Sequence, residues 1–203
     1  AHPHVVGMCD EIYGRQLYDG EEHVSILQYP EMHDRAIMLD GWSKTYAMTG
    51  WRLGYGVWPS SLVAHAERLQ INSTSCANAA TQVAAIEALR GPQDEVDKML
   101  RAFDERRRII HKELNSIPGF SCNLPKGAFY AFPNTSRTGI PSRTLEHELL
   151  NEAGVACLSG TSFGKFGEGF MRFSYANSQD NIREGLRRVR EHLARRAETA
   201  PSK

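Results

Sequence analysis

Gly41-Trp42-Ser43-Lys44-Thr45-Tyr46-Ala47-Met48-Thr49-Gly50-Trp51-Arg52-Leu53-Gly54-Tyr55 is the stretch on which the reading of this chain turns. It follows an apolar run, Ala36-Ile37-Met38-Leu39, that ends in Asp40. Such a run reads as a buried strand, and in α/β sheets ligands bind beyond the carboxyl ends of the strands. The stretch offers a lysine, an arginine, a cluster of hydroxyls and glycines. A guanidinium fork, hydroxyls and a backbone that glycine lets come close all suit a phosphate. A lysine there is either a point charge or an amine nucleophile. On these residues alone, an anion site and a solvated loop are equally good descriptions.

Upstream, Val5-Val6-Gly7-Met8-Cys9 is a second strand-like run, closed by Asp10-Glu11. Downstream, Tyr55-Gly56-Val57-Trp58 reads as a third strand ended by Pro59, and Ser60 is a candidate cap for a helix over 62–70. Residues 78–89 are alanine-rich with helical spacing, and a long charged helix is predicted over 94–114, stopped by Pro118-Gly119. Beyond Gly119 the texture changes. Residues 120–133 read as a hairpin turning at Pro125-Lys126-Gly127, 142–152 as a helix, and 155–158 and 170–174 as short strands. A terminal helix over 178–197 carries Ile182, Leu186, Val189 and Leu193 on one face, and its arginines read as a solvated face. The tail 198–203 reads as disordered. The expected organisation is an α/β part with mainly parallel strands over 1–92, a joining helix over 93–118, and a smaller α+β domain over 119–203.

Composition narrows the function classes. Lysine plus arginine number 24 and aspartate plus glutamate 24, so the chain is formally neutral and has no electrostatic reason to seek nucleic acid or an acidic membrane. No apolar run approaches the roughly 20 residues that a membrane helix needs. The start, Ala1-His2-Pro3-His4, lacks the basic-then-apolar layout of a signal peptide. Cys9, Cys76, Cys122 and Cys157 are widely separated and have no metal-ligand spacing. Three of them lie in apolar segments and read as buried, reduced thiols, which points to the cytoplasm. The chain opens on Ala1 with a strand almost at once, as a piece of a longer protein would.

Several segments together resemble one family. Ser43-Lys44 with Gly50-Trp51-Arg52-Leu53-Gly54-Tyr55 resembles the cofactor-attachment signature of the class I/II aminotransferases, enzymes dependent on pyridoxal 5'-phosphate (PLP). Asp10-Glu11-Ile12-Tyr13 resembles an upstream element of that family, and Asn72-Ser73-Thr74-Ser75-Cys76 with Gln82 its interface segment. Lys126-Gly127-Ala128-Phe129-Tyr130, Gly160-Thr161-Ser162-Phe163-Gly164 and Met171-Arg172-Phe173-Ser174 resemble its small-domain motifs. The motifs occur in the family's order and cover nearly the whole chain.

The resemblance implies a fold-type-I PLP enzyme, aspartate aminotransferase-like, represented by its C-terminal half: part of the large domain plus the small α+β domain. It implies that Lys44 carries the cofactor as a Schiff base and moves the substrate Cα proton. Asp10 would face the pyridine nitrogen, Tyr13 the phenolic oxygen, and Ser43 and Arg52 the phosphate. Arg172 would grip the substrate α-carboxylate, its apolar flanks Met171 and Phe173 fitting an inward-facing arginine. The implied partners are an amino acid (aspartate first) and a 2-oxo acid, and the implied assembly is a homodimer with Ser75 near the neighbouring site. The family's glycine- and hydroxyl-rich phosphate loop, ring-stacking aromatic and Asn-Pro element do not occur in the chain, so PLP binding by the chain alone is expected to be weak or absent and the chain alone inactive. Alternatives within the resemblance are a C–S lyase, a cyclopropane-carboxylate synthase-like enzyme, and the aminotransferase-like ligand-sensing domain of a transcription regulator.

Overall fold

A computed structural model describes residue 2 and residues 4–199. The chain falls into two compact units, Ala1–Lys98 and Met99–Lys203.

In the first unit three strands form one sheet in the order β1-β2-β3. Strand β1 (Gly7–Asp10) runs parallel to β2 (Ala36–Gly41), with Gly7 opposite Ala36 and Asp10 opposite Leu39. Both strands therefore deliver their carboxyl ends, Asp10 and Asp40-Gly41, to the same edge of the sheet. Strand β3 (Gly54–Val57) returns antiparallel, with Gly41 opposite Gly54, the exception in a sheet expected to be mainly parallel. The reason lies in the linking segment. It is spent on a tight turn and one 3-10 turn (Thr49–Trp51), and it has no helix to carry the chain back across the sheet before the next strand. The pairing also needs glycine. A Cβ on Gly41 would lie 2.8 Å from the Leu53 carbonyl oxygen, inside contact distance.

Helix α1 (Ser60–Thr74) starts directly after Pro59, and Ser60 is its first residue rather than a capping side chain. Helix α2 (Ala79–Arg90) is capped by Asn78, whose side chain accepts the Thr81 N–H at 3.1 Å. Tyr18, Ala36, Ile37 and Ala85 are buried in this unit. Val63, Leu69, Ile71, Val83, Ile86 and Leu89 of α1 and α2 are exposed, as are Met8 and Val57 of the edge strands. Helix α3 (Asp94–Asn115) begins here and from Met99 onward belongs to the second unit.

The second unit holds strand β4 (Tyr130–Ala131), helix α4 (Ser142–Asn151), strands β5 (Leu158–Ser159) and β6 (Met171–Ser174), and helix α5 (Gln179–Thr199). Its sheet is antiparallel, in the order β4-β6-β5. Ile110 and Leu114 of α3, Leu145 and Leu149 of α4, and Ile182, Leu186 and Val189 of α5 are buried at helical spacing and make one core with Met171 and Tyr175. The arginines on the outer side of α5 pair within the helix, Arg187 with Glu184 and Glu191, and Arg188 with Glu184. Glu198 and Thr199 extend α5, whereas the rest of the tail that reads as disordered, residues 200–203, lies outside the described residues.

The hairpin expected over 120–133 does not form. Ser121 and Asn134 exchange two backbone hydrogen bonds at 2.9 and 2.7 Å, and Tyr130 and Ala131 then pair with β6. Groups distant in the chain take carbonyls between: Pro125 O accepts from Arg107 at 2.7 Å, Ala128 O from the Tyr175 hydroxyl at 2.9 Å and Phe129 O from the Tyr175 N–H at 2.9 Å. The cysteines also differ from expectation. Cys122 is buried, Cys9 and Cys157 are partly covered, and Cys76 is exposed. Burial, with the nearby Glu146 charge, pushes the Cys157 thiol up to about 12. No helix among the described residues is long and apolar enough to cross a membrane.

Candidate active site

The carboxyl ends of β1 and β2 face a cleft of about 280 Å³ lined by Asp10, Ile12, Asp40, Gly41, Ser43, Arg52 and Gly54, among others. Three of the residues named from sequence, Asp10, Ser43 and Arg52, are thus brought to one place. Asp10 is exposed, and its Oδ1 accepts the Ile12 N–H at 3.2 Å, so one oxygen closes the turn after β1. The turn formed by residues 12–15 carries Tyr13 back toward the neighbouring loop. There Lys44 Nζ sits 5.6 Å from the Tyr13 ring centroid, over its face. Lys44 and Tyr13 are each partly covered.

The Lys44 loop is held from several sides. Tyr46 N–H and Met48 N–H both donate to the Trp42 carbonyl at 3.3 Å, and Ala47 N–H to the Lys44 carbonyl at 3.2 Å. The Trp42 indole donates to Ala85 O at 3.2 Å and meets the Tyr55 ring edge-on at 5.5 Å. Asp40 accepts from Gly41 N–H at 2.6 Å and from the Tyr55 hydroxyl at 3.2 Å. Burial, with the Asp40 charge behind it, raises the Tyr55 pKa. Buried Gln16 donates to the Lys44 carbonyl at 3.3 Å, and Arg15 ties Tyr46 to Gln93 at 2.9 Å each. Sequence reasoning missed these supporting residues, because an amide or an arginine shortly after Tyr13 carries no signal of its own.

Arg52 adopts a left-handed conformation (φ 55°, ψ 50°) as it ends the 3-10 turn, and donates to Thr49 O at 2.8 Å. For a non-glycine residue this conformation costs about 1–2 kcal/mol, and here it turns the arginine onto the wall that also holds Ser43.

Glu11, beside Asp10, anchors the following loop. It accepts from Ser25 Oγ at 3.0 Å and Ile26 N–H at 2.9 Å, and His23 Nε2 lies 2.8 Å from its other oxygen. Burial works toward raising its pKa, but the hydrogen bonds from His23, Ile26 and Ser25 and the His23 charge outweigh it, and the pKa is held below 4.5. A folded-state pKa below the unfolded one contributes stability above the unfolded pKa and loses it as pH falls through the folded value. Glu11→Gln is therefore expected to lower stability by about 1–2 kcal/mol at pH 7. In urea titrations the gap to the unsubstituted chain should close as pH drops below 4.5. A gap independent of pH would mean that the carboxylate charge is not what anchors the loop.

In the second unit Arg172 lies on β6 between Met171 and Phe173, which are both buried. Strand alternation puts Arg172 on the opposite face from them, so the flanks do not mark an inward arginine as the sequence reading supposed. Its guanidinium is partly covered all the same, by the Tyr130 ring at 4.5 Å and the Phe163 ring at 4.4 Å from Cζ to centroid.

Comparison with known proteins places this arrangement in a family. The sequence profile described as "Aminotransferase class I and II" matches residues 1–189. The aspartate aminotransferase of Geobacillus stearothermophilus is 39% identical over 199 residues, which cover 95% of this chain and 50% of that protein. The Pyrococcus horikoshii aspartate aminotransferase is 37% identical over 188 residues, 92% of this chain and 48% of that one. Among solved structures, an aromatic aminotransferase from Pyrococcus horikoshii OT3 superposes with a TM-score of 0.90 at 37% identity, covering 95% of this chain and 52% of that one. The aspartate aminotransferase from Rhizobium meliloti gives 0.90 at 35% identity, covering 96% and 51%. The chain spans about half the length of the relatives it matches. With a match that runs through nearly every segment described above, the chain belongs to the class I and II aminotransferase family.

Proposed function

We propose that this chain supplies the cofactor-attachment and carboxylate-binding residues of a PLP-dependent aminotransferase, which passes an amino group from an amino acid to a 2-oxo acid. The observation that carries the reading is the convergence of Asp10, Ser43 and Arg52 on one cleft at the carboxyl ends of two parallel strands, with Lys44 next to Ser43. The donor set fits PLP. A carboxylate suits a protonated pyridine nitrogen, and a guanidinium and a hydroxyl suit a phosphate.

Bound there, PLP supplies an electron sink for the negative charge left on the substrate Cα. The chain's own residues do the rest. Arg52 and Ser43 hold the phosphate oxygens and fix the cofactor's position. The Asp10 oxygen not engaged by Ile12 keeps a proton on the ring nitrogen. Tyr13 hydrogen-bonds the phenolic oxygen. Lys44 Nζ would hold the cofactor at its carbonyl carbon and, as a free amine, would carry the substrate Cα proton. Arg172 takes the substrate α-carboxylate with its planar fork.

Aspartate is the proposed amino donor, on the strength of relatives named aspartate aminotransferases. A homodimer belongs to the same reading, supported by the exposed apolar side chains of α1 and α2. The test completes the chain with a polypeptide covering the other half of the Geobacillus stearothermophilus relative's length and adds PLP, aspartate and 2-oxoglutarate. Glutamate formation without free ammonia is the expected result. A parallel assay with a β-substituted amino acid such as cystathionine in place of aspartate reads the alternative, and release of ammonia and pyruvate there, with no glutamate in the first, would turn the reading to a lyase.

A further inference from the structure

Arg172 is set unlike the ion-paired arginines of the second unit. Arg107, Arg187, Arg188, Arg190 and Arg196 all have carboxylate partners. Arg172 has no hydrogen bond or ion pair among the described residues, and its near neighbours are two aromatic rings. They arrive from opposite sides of its strand. Tyr130 belongs to β4, which pairs with one edge of β6, and Phe163 follows β5, which pairs with the other edge with Leu158 opposite Arg172. Each ring is backed by further rings. Tyr130 packs on Phe129 at 4.7 Å, and Phe129 stacks on Phe103 of α3 at 5.6 Å. Phe163 meets Phe132 at 6.2 Å, which stacks on Phe170 at 5.4 Å.

A guanidinium bonds anions in its own plane, through five N–H groups, and its faces accept nothing but π-electrons. With a ring centroid within 4.5 Å of Cζ from each side of the strand, the guanidinium has already given up rotamer freedom that an exposed arginine would lose on binding, and its N–H groups remain for an acceptor. Immobilising such a side chain in advance is worth about three- to tenfold in affinity. A planar carboxylate can engage two parallel N–H groups of a fixed fork, whereas a spherical anion gains little from its being fixed.

We propose that Tyr130 and Phe163 are positioning residues that hold the Arg172 guanidinium in place and make its site selective for planar carboxylates over spherical anions. The inference rests on the reading above that Arg172 takes the substrate carboxylate, and the test separates the two. The Nε–H resonance of Arg172 is followed in the ¹⁵N-labelled chain, titrated with acetate or with chloride at constant ionic strength, and assigned by its loss in Arg172→Gln. In the unsubstituted chain the resonance should lie upfield because of the ring faces, and acetate should shift it with a stronger response than chloride. Phe163→Leu is the informative variant because Phe163 is 52% exposed and its loss leaves the core intact. It should move the resonance downfield and weaken acetate binding about fivefold, roughly 1 kcal/mol, with chloride unchanged. Phe163→Trp, which keeps a ring, should restore both. If Phe163→Leu leaves resonance and acetate affinity as they were, or chloride responds as strongly as acetate, the positioning role is overturned and the carboxylate reading stands. If acetate never shifts the unsubstituted resonance, the carboxylate reading fails and takes this inference with it.

Discussion

Incubation of the 203-residue chain with PLP, followed by borohydride and peptide mapping, should place the label on Lys44 ahead of the chain's other lysines, Lys98, Lys112, Lys126, Lys165 and Lys203. Aldehydes react with any accessible amine, and by accessibility alone Lys44 is a poor target. It is partly covered, whereas the Lys98 side chain is 71% exposed. Preference for Lys44 must then come from the cleft. A charge-assisted hydrogen bond from Arg52 to the phosphate is worth about 1.5–3 kcal/mol, which corresponds to roughly ten- to a hundredfold enrichment of the aldehyde beside Lys44. Asp10 and Arg52 are both exposed in this chain, so binding should be weak, but an irreversible trap accumulates label even so. Lys44→Arg should abolish the labelled peptide, and Arg52→Gln should reduce its share toward that of the surface lysines. Label spread over the lysines in order of their exposure would remove the basis for Lys44 as the attachment residue.

The largest stability effect is expected at Arg107. It is fully buried on α3, and its guanidinium donates from Nη1 to Pro125 O at 2.7 Å and from Nε to Asp104 Oδ1 at 2.8 Å. Removing one member of a buried charged pair typically costs about 3–5 kcal/mol because the partner is left uncompensated. Asp104 is partly exposed and keeps Arg108 at 3.1 Å, which moves Arg107→Ala to the lower end, about 2–4 kcal/mol. The loss should appear as a lower urea midpoint for the second unit. It should also appear as faster amide exchange over residues 126–130, because the Pro125 carbonyl fixes the start of the segment that ends in Tyr130. Asp104→Asn, which leaves the Pro125 bond in place, should cost less and leave that exchange nearly unchanged. Equal effects of the two substitutions would mean that the ion pair, and not the carbonyl anchor, holds the segment.

The sequence reading was strongest where a periodic pattern met a local stop signal. Helix α3 was expected to begin at 94 and does, because Asp94, Glu95 and Asp97 suit a helix N-terminus and the apolar positions recur on one face. Helix α2 ends at Arg90 before Gly91 for the same kind of reason. The reading failed where hydrogen bonds go to distant side chains. Nothing within 120–133 announces that Arg107 and Tyr175 will take its carbonyls, so turn residues and apolar alternation suggested a hairpin that does not form.

The same division holds for the candidate sites. By itself the sequence determined which chemical groups the chain carries and in what order, since Lys44, Asp10, Tyr13, Ser43, Arg52 and Arg172 stand in motifs whose spacing belongs to one family. It determined the helices too, since their hydrogen bonds and apolar stripes are local in the chain. Only the tertiary structure decided that β3 returns antiparallel, that Arg52 turns into the cleft through a left-handed residue, that Gln16 holds the Lys44 loop, and that Arg172 rests between Tyr130 and Phe163. The Gln16 and Arg172 contacts join groups far apart in the chain, and the direction of β3 and the left-handed backbone at Arg52 are conformations that no residue type there announces, so none of them leaves a period or spacing in the sequence from which it could be read.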